Sequence, residues 1–434
     1  KFTYKLLQFI LKITKEGEIV LSSFLKDDYF RYYINELLIL NTGHIIGFGY
    51  QREKLNGTAY FIIVEWDDNL NILNETLYET PYEIIEYINV KLVDEKFIVV
   101  GSGFSNVNMK RKVFSYLMDS NFDTLVSNTY PGKSVLSLNF DISPGNMSET
   151  YKLFGTLIDP ELPYISQIIT IDESLEIVDY NAMPGYMIFY NDAKHYNSQS
   201  YLLSGLYQIP EKAQEDQLAL AVMDENSDTL ISMHLLGATD TSDYPGFYGN
   251  LDYLDTDNIY YGGTMNMGLG TYLPIDSWFF LNKLDSNLEV QWQKFYGGDA
   301  YYSLWDLIAT QDGGCLMAGS VYDDQMLDNF RDIYIVKVNE DGLIVGTGEE
   351  PGGIKIQDAI VYPNPGNEFL KVQSGPQVNG ALFELFNLSG NLVLSTTLDE
   401  RMETINTSDI PYGTYPYRVT YQNKIVANGK WVKQ

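Results

Sequence analysis

Apolar and polar residues alternate with a period of two over short segments along most of the chain. Residues 169–172 are one example, and this segment runs into the polar sequence Asp172-Glu173-Ser174. Such alternation is typical of half-buried strands, and Asp and Asn side chains favour tight turns. The pattern therefore predicts strands joined by short turns. No run of about 18 apolar residues occurs, so it predicts no membrane-spanning helix.

A second pattern is an apolar segment that ends in glycine and recurs six times. The terminal glycines are Gly49, Gly101, Gly155, Gly205, Gly263 and Gly319. They lie 52, 54, 50, 58 and 56 residues apart. An alternating strand and a polar turn follow each glycine, and another apolar segment precedes it, such as residues 36–40. Each unit therefore contains four short strands.

Four-stranded units at this period are typical of β-propeller blades, which close on themselves and leave few exposed edges. Six complete units and a leading half-unit over residues 1–26 favour seven blades, with six as the alternative. An open β-solenoid is a further alternative, although its coils are usually shorter. The composition supports an all-β fold, since 35 Tyr, 21 Phe and 5 Trp suit pleated, half-buried surfaces.

The repeat stops after Gly346, so we predict a propeller over residues 1–346. Residues 347–357 are polar and glycine-rich, which indicates a linker. Residues 358–434 contain short strands separated by Gly, Asn, Pro and Ser turns. That pattern predicts a small Ig-like antiparallel β-sandwich as a separate domain.

The sandwich carries several motifs in a fixed order. They are Val361-Tyr362-Pro363-Asn364-Pro365, Asn387-Leu388-Ser389-Gly390, Ile410-Pro411-Tyr412-Gly413 and Gly429-Lys430-Trp431-Val432-Lys433-Gln434. With these motifs the module resembles the type A C-terminal sorting domain of the type IX secretion system of Bacteroidetes. The upstream units, for example residues 292–298, more loosely resemble the repeats found ahead of such domains.

The resemblance implies a partner and a location. The protein would leave the cytoplasm on a signal peptide that has since been removed. The outer-membrane translocon would then recognise the folded sandwich. Surface attachment or release from a Gram-negative cell would follow. The residues that carry this sorting signal would be Pro363, Asn364, Pro365, Gly390, Gly413, Lys430 and Lys433.

Charge and cysteine content remove several classes of function. The 58 acidic and 28 basic residues give a formal charge of −30, which would repel nucleic acid and anionic lipid. Cys315 is the only cysteine, so no intrachain disulfide can form, and its apolar surroundings indicate a core residue.

His44, His195 and His234 lack metal-ligand spacing, so we predict no metal site and no cofactor. A calcium ion among the Asp and Asn turns is a weaker alternative to a purely structural turn.

Aromatic residues between the units are the candidate binding site. Flat rings with interspersed Asp and Asn suit a sugar, which offers apolar ring faces and hydroxyl groups. The candidate ligand-binding residues are Tyr32, Tyr186, Tyr190, Tyr248, Tyr302 and Trp305. The alternative is that these rings pack between blades.

Together these patterns predict a secreted or surface-displayed, non-enzymatic binding protein whose propeller loops bind a glycan or a protein. No catalytic motif is present, so no catalytic residue is assigned. The alternative is a carbohydrate-active enzyme, a glycoside hydrolase or lyase, that uses carboxylates in the propeller channel. A purely structural surface module is a third hypothesis.

Overall fold

A computed structural model describes most of the chain as strands and tight turns. The described residues are 8–13, 19–25, 29–53, 59–80, 82–105, 110–130, 134–141, 150–159, 162–182, 187–197, 199–207, 217–237, 241–267, 276–322, 331–345, 356–357, 359–375 and 378–434. No α-helix occurs among them. Within these ranges, no helix is long and apolar enough to cross a membrane.

The N-terminal half forms a hairpin followed by four antiparallel sheets of four strands each. The hairpin is β1 (Gln8–Ile13) and β2 (Ile19–Leu25). The first sheet comprises β3 (Phe30–Ile39), β4 (Ile45–Glu53), β5 (Ala59–Trp66) and β6 (Ile72–Glu79). The second comprises β7 (Ile84–Val93), β8 (Lys96–Ser105), β9 (Lys110–Met118) and β10 (Thr124–Tyr130). The third comprises β11 (Ser134–Asp141), β12 (Thr150–Asp159), β13 (Leu162–Asp172) and β14 (Ile177–Ala182). The fourth comprises β15 (Met187–Asn197), β16 (Ser200–Tyr207), β17 (Gln217–Asp224) and β18 (Leu230–Leu235).

Two further sheets follow. The fifth sheet contains β19 (Tyr244–Pro245), β20 (Leu251–Tyr253), β21 (Ile259–Met265), β22 (Trp278–Leu284) and β23 (Val290–Gly297), with β27 (Ile356–Gln357) on its outer edge. The sixth sheet contains β24 (Tyr301–Ala309), β25 (Cys315–Tyr322) and β26 (Asp332–Val338). Strands within each sheet follow chain order, which is the meander of a propeller blade.

The C-terminal residues form a sandwich of two sheets. One sheet has the order β28 (Ala359–Tyr362), β29 (Phe369–Ser374), β32 (Met402–Asn406). The other has the order β31 (Leu392–Leu398), β30 (Ala381–Phe386), β33 (Gly413–Tyr421), β34 (Lys424–Lys433). The predicted all-β fold, with blade-type sheets followed by a sandwich, is confirmed. Whether a ring of six or of seven blades forms stays a prediction.

Apolar cores lie between consecutive sheets. Phe48 and Phe61 of the first sheet pack with Phe97 and Phe114 of the second, and all four are buried. Cys315 belongs to the core between the fifth and sixth sheets, where it is fully buried, in agreement with its apolar sequence context. Aromatic and branched side chains fill such spaces between pleated faces, and their burial stabilises the stack.

The chain divides into two compact units. One comprises residues 1–207 and 219–234, and the other comprises residues 208–218 and 235–434. The second unit contains the fifth and sixth sheets and the sandwich. The sandwich has its own core, in which Leu370, Phe383, Val419 and Trp431 are fully buried. The domain limits at 346 and 358 stay predictions, since residues 346–355 and 358 lie outside the described ranges.

Candidate functional site

The first strand of several sheets contains a β-bulge at the same place. The register shifts between Ile34 and Glu36 in β3, and between Ile85 and Tyr87 in β7. It also shifts between Leu304 and Asp306 in β24. A bulge adds one unpaired residue, bends the strand and re-aims its side chains.

Glycines of the neighbouring strands explain why the bulges fit. Gly49 pairs with Ile34, and a Cβ atom there would lie 1.9 Å from the Tyr33 carbonyl oxygen. Gly319 pairs with Leu304, and its Cβ would lie 2.1 Å from the Ser303 carbonyl oxygen. The recurring glycines therefore allow the second strand to approach the bulged first strand closely.

Trp305 is the extra residue of the β24 bulge, and it lies beside a tight loop that precedes β20. The backbone N–H of Tyr248 donates to the Trp305 carbonyl oxygen at 2.8 Å, and that of Gly249 donates to the same oxygen at 3.3 Å. Gly246 lets the loop close, because a Cβ atom there would lie 2.2 Å from the Gly249 carbonyl oxygen. The bulge thus supplies the carbonyl that holds the loop.

Three large rings of this region face solvent. The exposed fractions are 38% for Phe247, 56% for Tyr248 and 37% for Trp305. We call these three residues the aromatic patch. The Phe247 ring also contacts the half-buried Tyr244 ring, with centroids 5.8 Å apart. The structure thus brings together two of the predicted binding residues, Tyr248 and Trp305, and adds Phe247.

Tyr302 has a different environment from Trp305, although the two are close in sequence. It is only 6% exposed, and its ring packs at 4.9 Å from Tyr334 and 6.1 Å from Phe279. Its hydroxyl group donates to Asp299 Oδ1 at 2.8 Å. This burial favours the packing alternative for Tyr302.

The remaining predicted aromatic residues belong to the first compact unit. Tyr32 is half-buried in β3 and packs against the core below the first hairpin. Tyr190 lies in β15 and pairs with Gly205, but its side chain is outside the described part. Tyr186 also lies outside the described residues. A ligand-binding role for these tyrosines stays a prediction.

The bulges also place three carboxylates at equivalent positions, and one of them is Asp306, which follows the bulge in β24. Glu36 follows the bulge in β3, and Asp192 follows the corresponding register shift in β15. Asp192 is buried, and Lys91 and Lys194 are half-buried. Burial raises the pKa of Glu36 to about 7. The positive charges of Lys91 and Lys194 lower this pKa, and the negative charge of Asp192 raises it further. A carboxyl group that is half protonated near neutral pH can act as an acid or a base.

This carboxylate pair was not among the predicted site residues. Glu36 precedes the apolar residues 37–40, but no apolar stretch follows Asp192, and in the sequence both resemble the many other acidic residues of a chain with 58 of them. The available signal was an acidic residue inside a predicted first strand. Its significance depends on the bulge and on strand neighbours that are distant in sequence.

The acidic turns have a structural role. Asp172 Oδ1 accepts hydrogen bonds from the backbone N–H groups of Ser174 and Glu176, at 2.8 and 2.9 Å. Asp67, Asp119 and Asp285 make the same pair of contacts in their turns. The interpretation of these residues as turn caps is confirmed. Within the described ranges, no group of three or more His, Cys, Asp or Glu residues could hold a metal ion.

The histidines are dispersed as their sequence positions suggest. His44 Nδ1 lies 2.8 Å from Glu65 Oε1, and His195 Nε2 lies 3.8 Å from Glu225 Oε2. His234 Nε2 lies 3.4 Å from the Ser232 hydroxyl oxygen. Each histidine therefore has a polar neighbour within its own sheet or in a turn of that sheet.

At the C-terminus, the predicted sorting residues converge on one end of the sandwich. Trp431 is fully buried, and its indole N–H donates to the Pro363 carbonyl oxygen at 2.8 Å. The Asn364 side chain donates to the Lys430 carbonyl oxygen at 2.8 Å and accepts from the Val432 N–H at 2.9 Å. These contacts join the segment that opens the sandwich to its final strand.

The other sorting residues lie at the same end. The Lys433 ammonium group donates to Asn367 Oδ1 at 3.1 Å, and Lys433 pairs with Gly413 across the last two strands. Pro365 follows Asn364 through a cis peptide bond. Gly390 occupies the turn between β30 and β31 with a φ of 81°, which suits glycine. Their assignment as the sorting signal stays a prediction, which this clustering supports.

Comparison with known families identifies the sandwich. Residues 360–434 match the family described as "Secretion system C-terminal sorting domain". This part of the chain is a type IX secretion C-terminal sorting domain, which confirms the resemblance drawn from its motifs. The protein is accordingly secreted or displayed on the cell surface. A comparison of the chain with curated proteins finds no match.

A comparison with solved structures finds several chains of low similarity. The β-propeller domain of the Trilobed protease from Pyrococcus furiosus is 8% identical, over 87% of this chain and 96% of that one, with a TM-score of 0.39. A neuraminidase-like protein from A/bat/Guatemala/164/2009 is 7% identical over 71% and 87%, with a TM-score of 0.41. The Pyrococcus horikoshii acylaminoacyl peptidase is 9% identical over 79% and 49%, also at 0.41. None of these similarities transfers an activity to the present chain.

Proposed function

We propose that the protein is a secreted, non-enzymatic binding protein that recognises a glycan through the aromatic patch. The observation that carries the proposal is the solvent exposure of three large rings, Phe247, Tyr248 and Trp305, on two segments that backbone hydrogen bonds join. Scattered exposed apolar residues are ordinary on protein surfaces, but adjacent exposed aromatic rings are typical of binding surfaces. A single bulge carbonyl fixes the loop that carries two of them.

The chemistry of the patch suits a sugar better than it suits an anion. The flat apolar face of a pyranose stacks on an aromatic ring and leaves its hydroxyl groups for polar neighbours. The formal charge of −30 disfavours acidic polymers, so we expect a neutral or weakly basic glycan.

The test is to measure glycan binding by the purified protein and by Trp305→Ala and Tyr248→Ala. Loss of one stacking ring should weaken binding about tenfold, which corresponds to about 1.4 kcal/mol. Tyr412→Ala is the matched control, since this tyrosine is 78% exposed but belongs to the sandwich. Binding that is equal in all variants, or absent for every glycan on a broad array, would contradict the proposal.

The second candidate function is a carbohydrate-active enzyme, and the carboxylate pair Glu36 and Asp192 is the observation that favours it. A raised pKa is the property that a general acid needs at neutral pH. Activity on a polysaccharide panel that disappears in Glu36→Gln, but persists in the exposed-residue control Glu75→Gln, would establish the enzyme and replace the binding proposal.

The sorting domain supports a more specific location. We propose that the protein crosses the inner membrane on a signal peptide, engages the type IX translocon through its sandwich, and is then attached to the outer surface or released. The sandwich supports this route because it has its own core and therefore offers the translocon a folded surface.

A further inference from the structure

The sandwich contacts the fifth sheet at two places within the second compact unit. Ile356 and Gln357 form β27, which pairs antiparallel with Tyr296 and Phe295 on the outer edge of β23. Arg401, in the turn between β31 and β32, forms the second contact. The segment predicted as a linker therefore ends in a strand of the upstream sheet.

The guanidinium group of Arg401 donates hydrogen bonds to β23 and to the segment that follows β18. One nitrogen, Nη2, donates to Gln293 Oε1 at 2.9 Å and to the Leu236 carbonyl oxygen at 3.2 Å. Gln293 is fully buried, and its side-chain amide donates onward to Asn282 Oδ1 at 2.8 Å. The Asn282 amide in turn lies 3.3 Å from the Tyr261 carbonyl oxygen. A buried polar chain therefore extends from Arg401 across the sheet.

A carboxylate also acts on Arg401. Burial lowers the pKa of the guanidinium, and the negative charge of Asp243, which is 1% exposed, opposes this shift. The Nε atom of Arg401 is buried and has no hydrogen-bond partner among the described residues. Further hydrogen bonds fix the Asp243 side chain and the Arg401 backbone. Asp243 Oδ1 accepts from the Thr241 hydroxyl group at 2.9 Å, and the Arg401 carbonyl oxygen accepts from the Ser374 N–H at 2.9 Å.

The free-energy cost of burying a charged guanidinium makes this contact specific. An arginine keeps its charge at all relevant pH values, so a half-buried guanidinium is stable only where acceptors and a counter-charge are already arranged. Gln293 of β23, Leu236 directly after β18 and Asp243 directly before β19 supply them. The strand pairing at β23 adds backbone hydrogen bonds in the manner of strand addition to a sheet edge.

We propose that the β23 edge of the fifth sheet and the guanidinium site formed by Gln293 with the nearby residues Leu236 and Asp243 are a docking site for the sorting domain. The sandwich is then held against the sheet as one rigid body and does not swing on a flexible linker. The translocon would therefore meet a sandwich with one face already covered. This proposal goes beyond glycan binding, and it is independent of the aromatic patch.

The test is hydrogen exchange on the full chain, comparing the natural protein with Arg401→Ala and Gln293→Ala. The first variant removes the donor from the sandwich, and the second removes an acceptor from the sheet. Both should raise the exchange rate of amides in residues 293–297 and 356–357 at least tenfold. Amides of β30 and β33, inside the sandwich, should keep their protection.

Arg418→Ala is the matched control, since Arg418 is also an arginine of the sandwich but pairs with Glu384 at 2.7 Å within that domain. It should leave exchange at residues 293–297 and 356–357 unchanged. The proposal is wrong if Arg401→Ala exchanges like the natural protein there. It is equally wrong if the variant loses protection throughout the sandwich, because Arg401 would then stabilise the domain and not dock it.

Discussion

At the residue scale, the acidic turns show how a buried side chain can stabilise an uncommon backbone conformation. Leu175 has a φ of 59°, which glycine usually occupies, yet it is a fully buried leucine. Leu70, with a φ of 61°, and Phe122, with a φ of 66°, occupy the same position in their turns. In the last repeat the position is taken by Gly342, with a φ of 73°. The preceding Asp cap and the burial of the side chain offset the strain of the left-handed conformation.

Glu36 carries the clearest pH dependence at this scale. Its pKa of about 7 in the folded protein exceeds the ordinary value of 4.5, so the folded state binds the extra proton between these two pH values. The free energy of unfolding should therefore be highest below pH 4.5, fall as the pH rises towards 7, and change little from this group above pH 7.

The matching prediction is that Glu36→Gln removes this dependence. The variant and the natural protein should differ least near pH 4.5, and at pH 8 the variant should be more stable by at most about 3 kcal/mol. Urea unfolding at several pH values measures this difference. If the two proteins lose stability in parallel between pH 4.5 and 8, Glu36 does not titrate as its surroundings indicate. Glu75→Gln, on an exposed face, serves as the control.

At the element scale, the glycine period predicted the sheets, but the bulge that requires glycine could not be predicted. A bulge depends on the pairing of two strands and is not a property of one segment. The second sheet is an example. There Gly103, and not the periodic Gly101, lies opposite Ile85, the residue that precedes the bulge. The periodicity located the strands because both glycines lie in β8.

The aromatic residues of β24 could be predicted only in part. Alternation along a strand would place Tyr302 and Leu304 on one face, and both are buried. Alternation also places Trp305 on the opposite face, where it is exposed, whereas Tyr302 enters the core with Phe279 and Tyr334. Sequence alone could separate Tyr302 from Trp305 by face, but it could not predict which of the two faces is exposed, since Ser303 on the face of Trp305 is buried.

We expect Gly319→Ala to destabilise the sixth sheet strongly. The new Cβ atom would overlap the Ser303 carbonyl oxygen at 2.1 Å and the Phe279 ring at 2.6 Å, so either the strand or the ring must move. A loss of about 3 kcal/mol or more in the free energy of unfolding is expected. Chemical denaturation measures it.

Gly380→Ala is the comparison variant for this change. Its φ of 81° strains any side chain, but nothing lies within 4 Å of the new atom, so the expected loss is about 1 kcal/mol. Equal losses in the two variants would mean that the close approach at Gly319 contributes no steric cost.

At the scale of the whole molecule, the sorting sandwich was the most predictable part. Each of its motifs is a short continuous segment that can be recognised in the sequence. Contacts between distant motifs then complete the fold, as when the Trp431 indole N–H donates to the Pro363 carbonyl oxygen. The docking through Arg401 had no comparable signal, because an arginine in a polar turn looks like a solvated charge. Its role becomes visible only with the acceptors of the fifth sheet beside it.

Trp431→Ala should abolish export while leaving the blade-type sheets folded. The indole ring is fully buried in the core of the sandwich, and its removal should cost about 3–5 kcal/mol, enough to unfold so small a domain. The fraction of protein outside the cell, compared with the fraction retained in the periplasm, measures the effect. Tyr412→Ala, which alters an exposed ring, should be exported normally, and normal export of Trp431→Ala would contradict the requirement for a folded sandwich.

The short strand β27 has a consequence for the protein after any loss of its C-terminal part. It occupies the outermost hydrogen-bonding positions of the fifth sheet, at Phe295 and Tyr296. A chain that ends before residue 356 would present those N–H and C=O groups to solvent as an open edge, where a strand from another molecule can pair. Shortened protein should therefore self-associate more strongly with rising concentration than the chain that retains β27, which shields this edge.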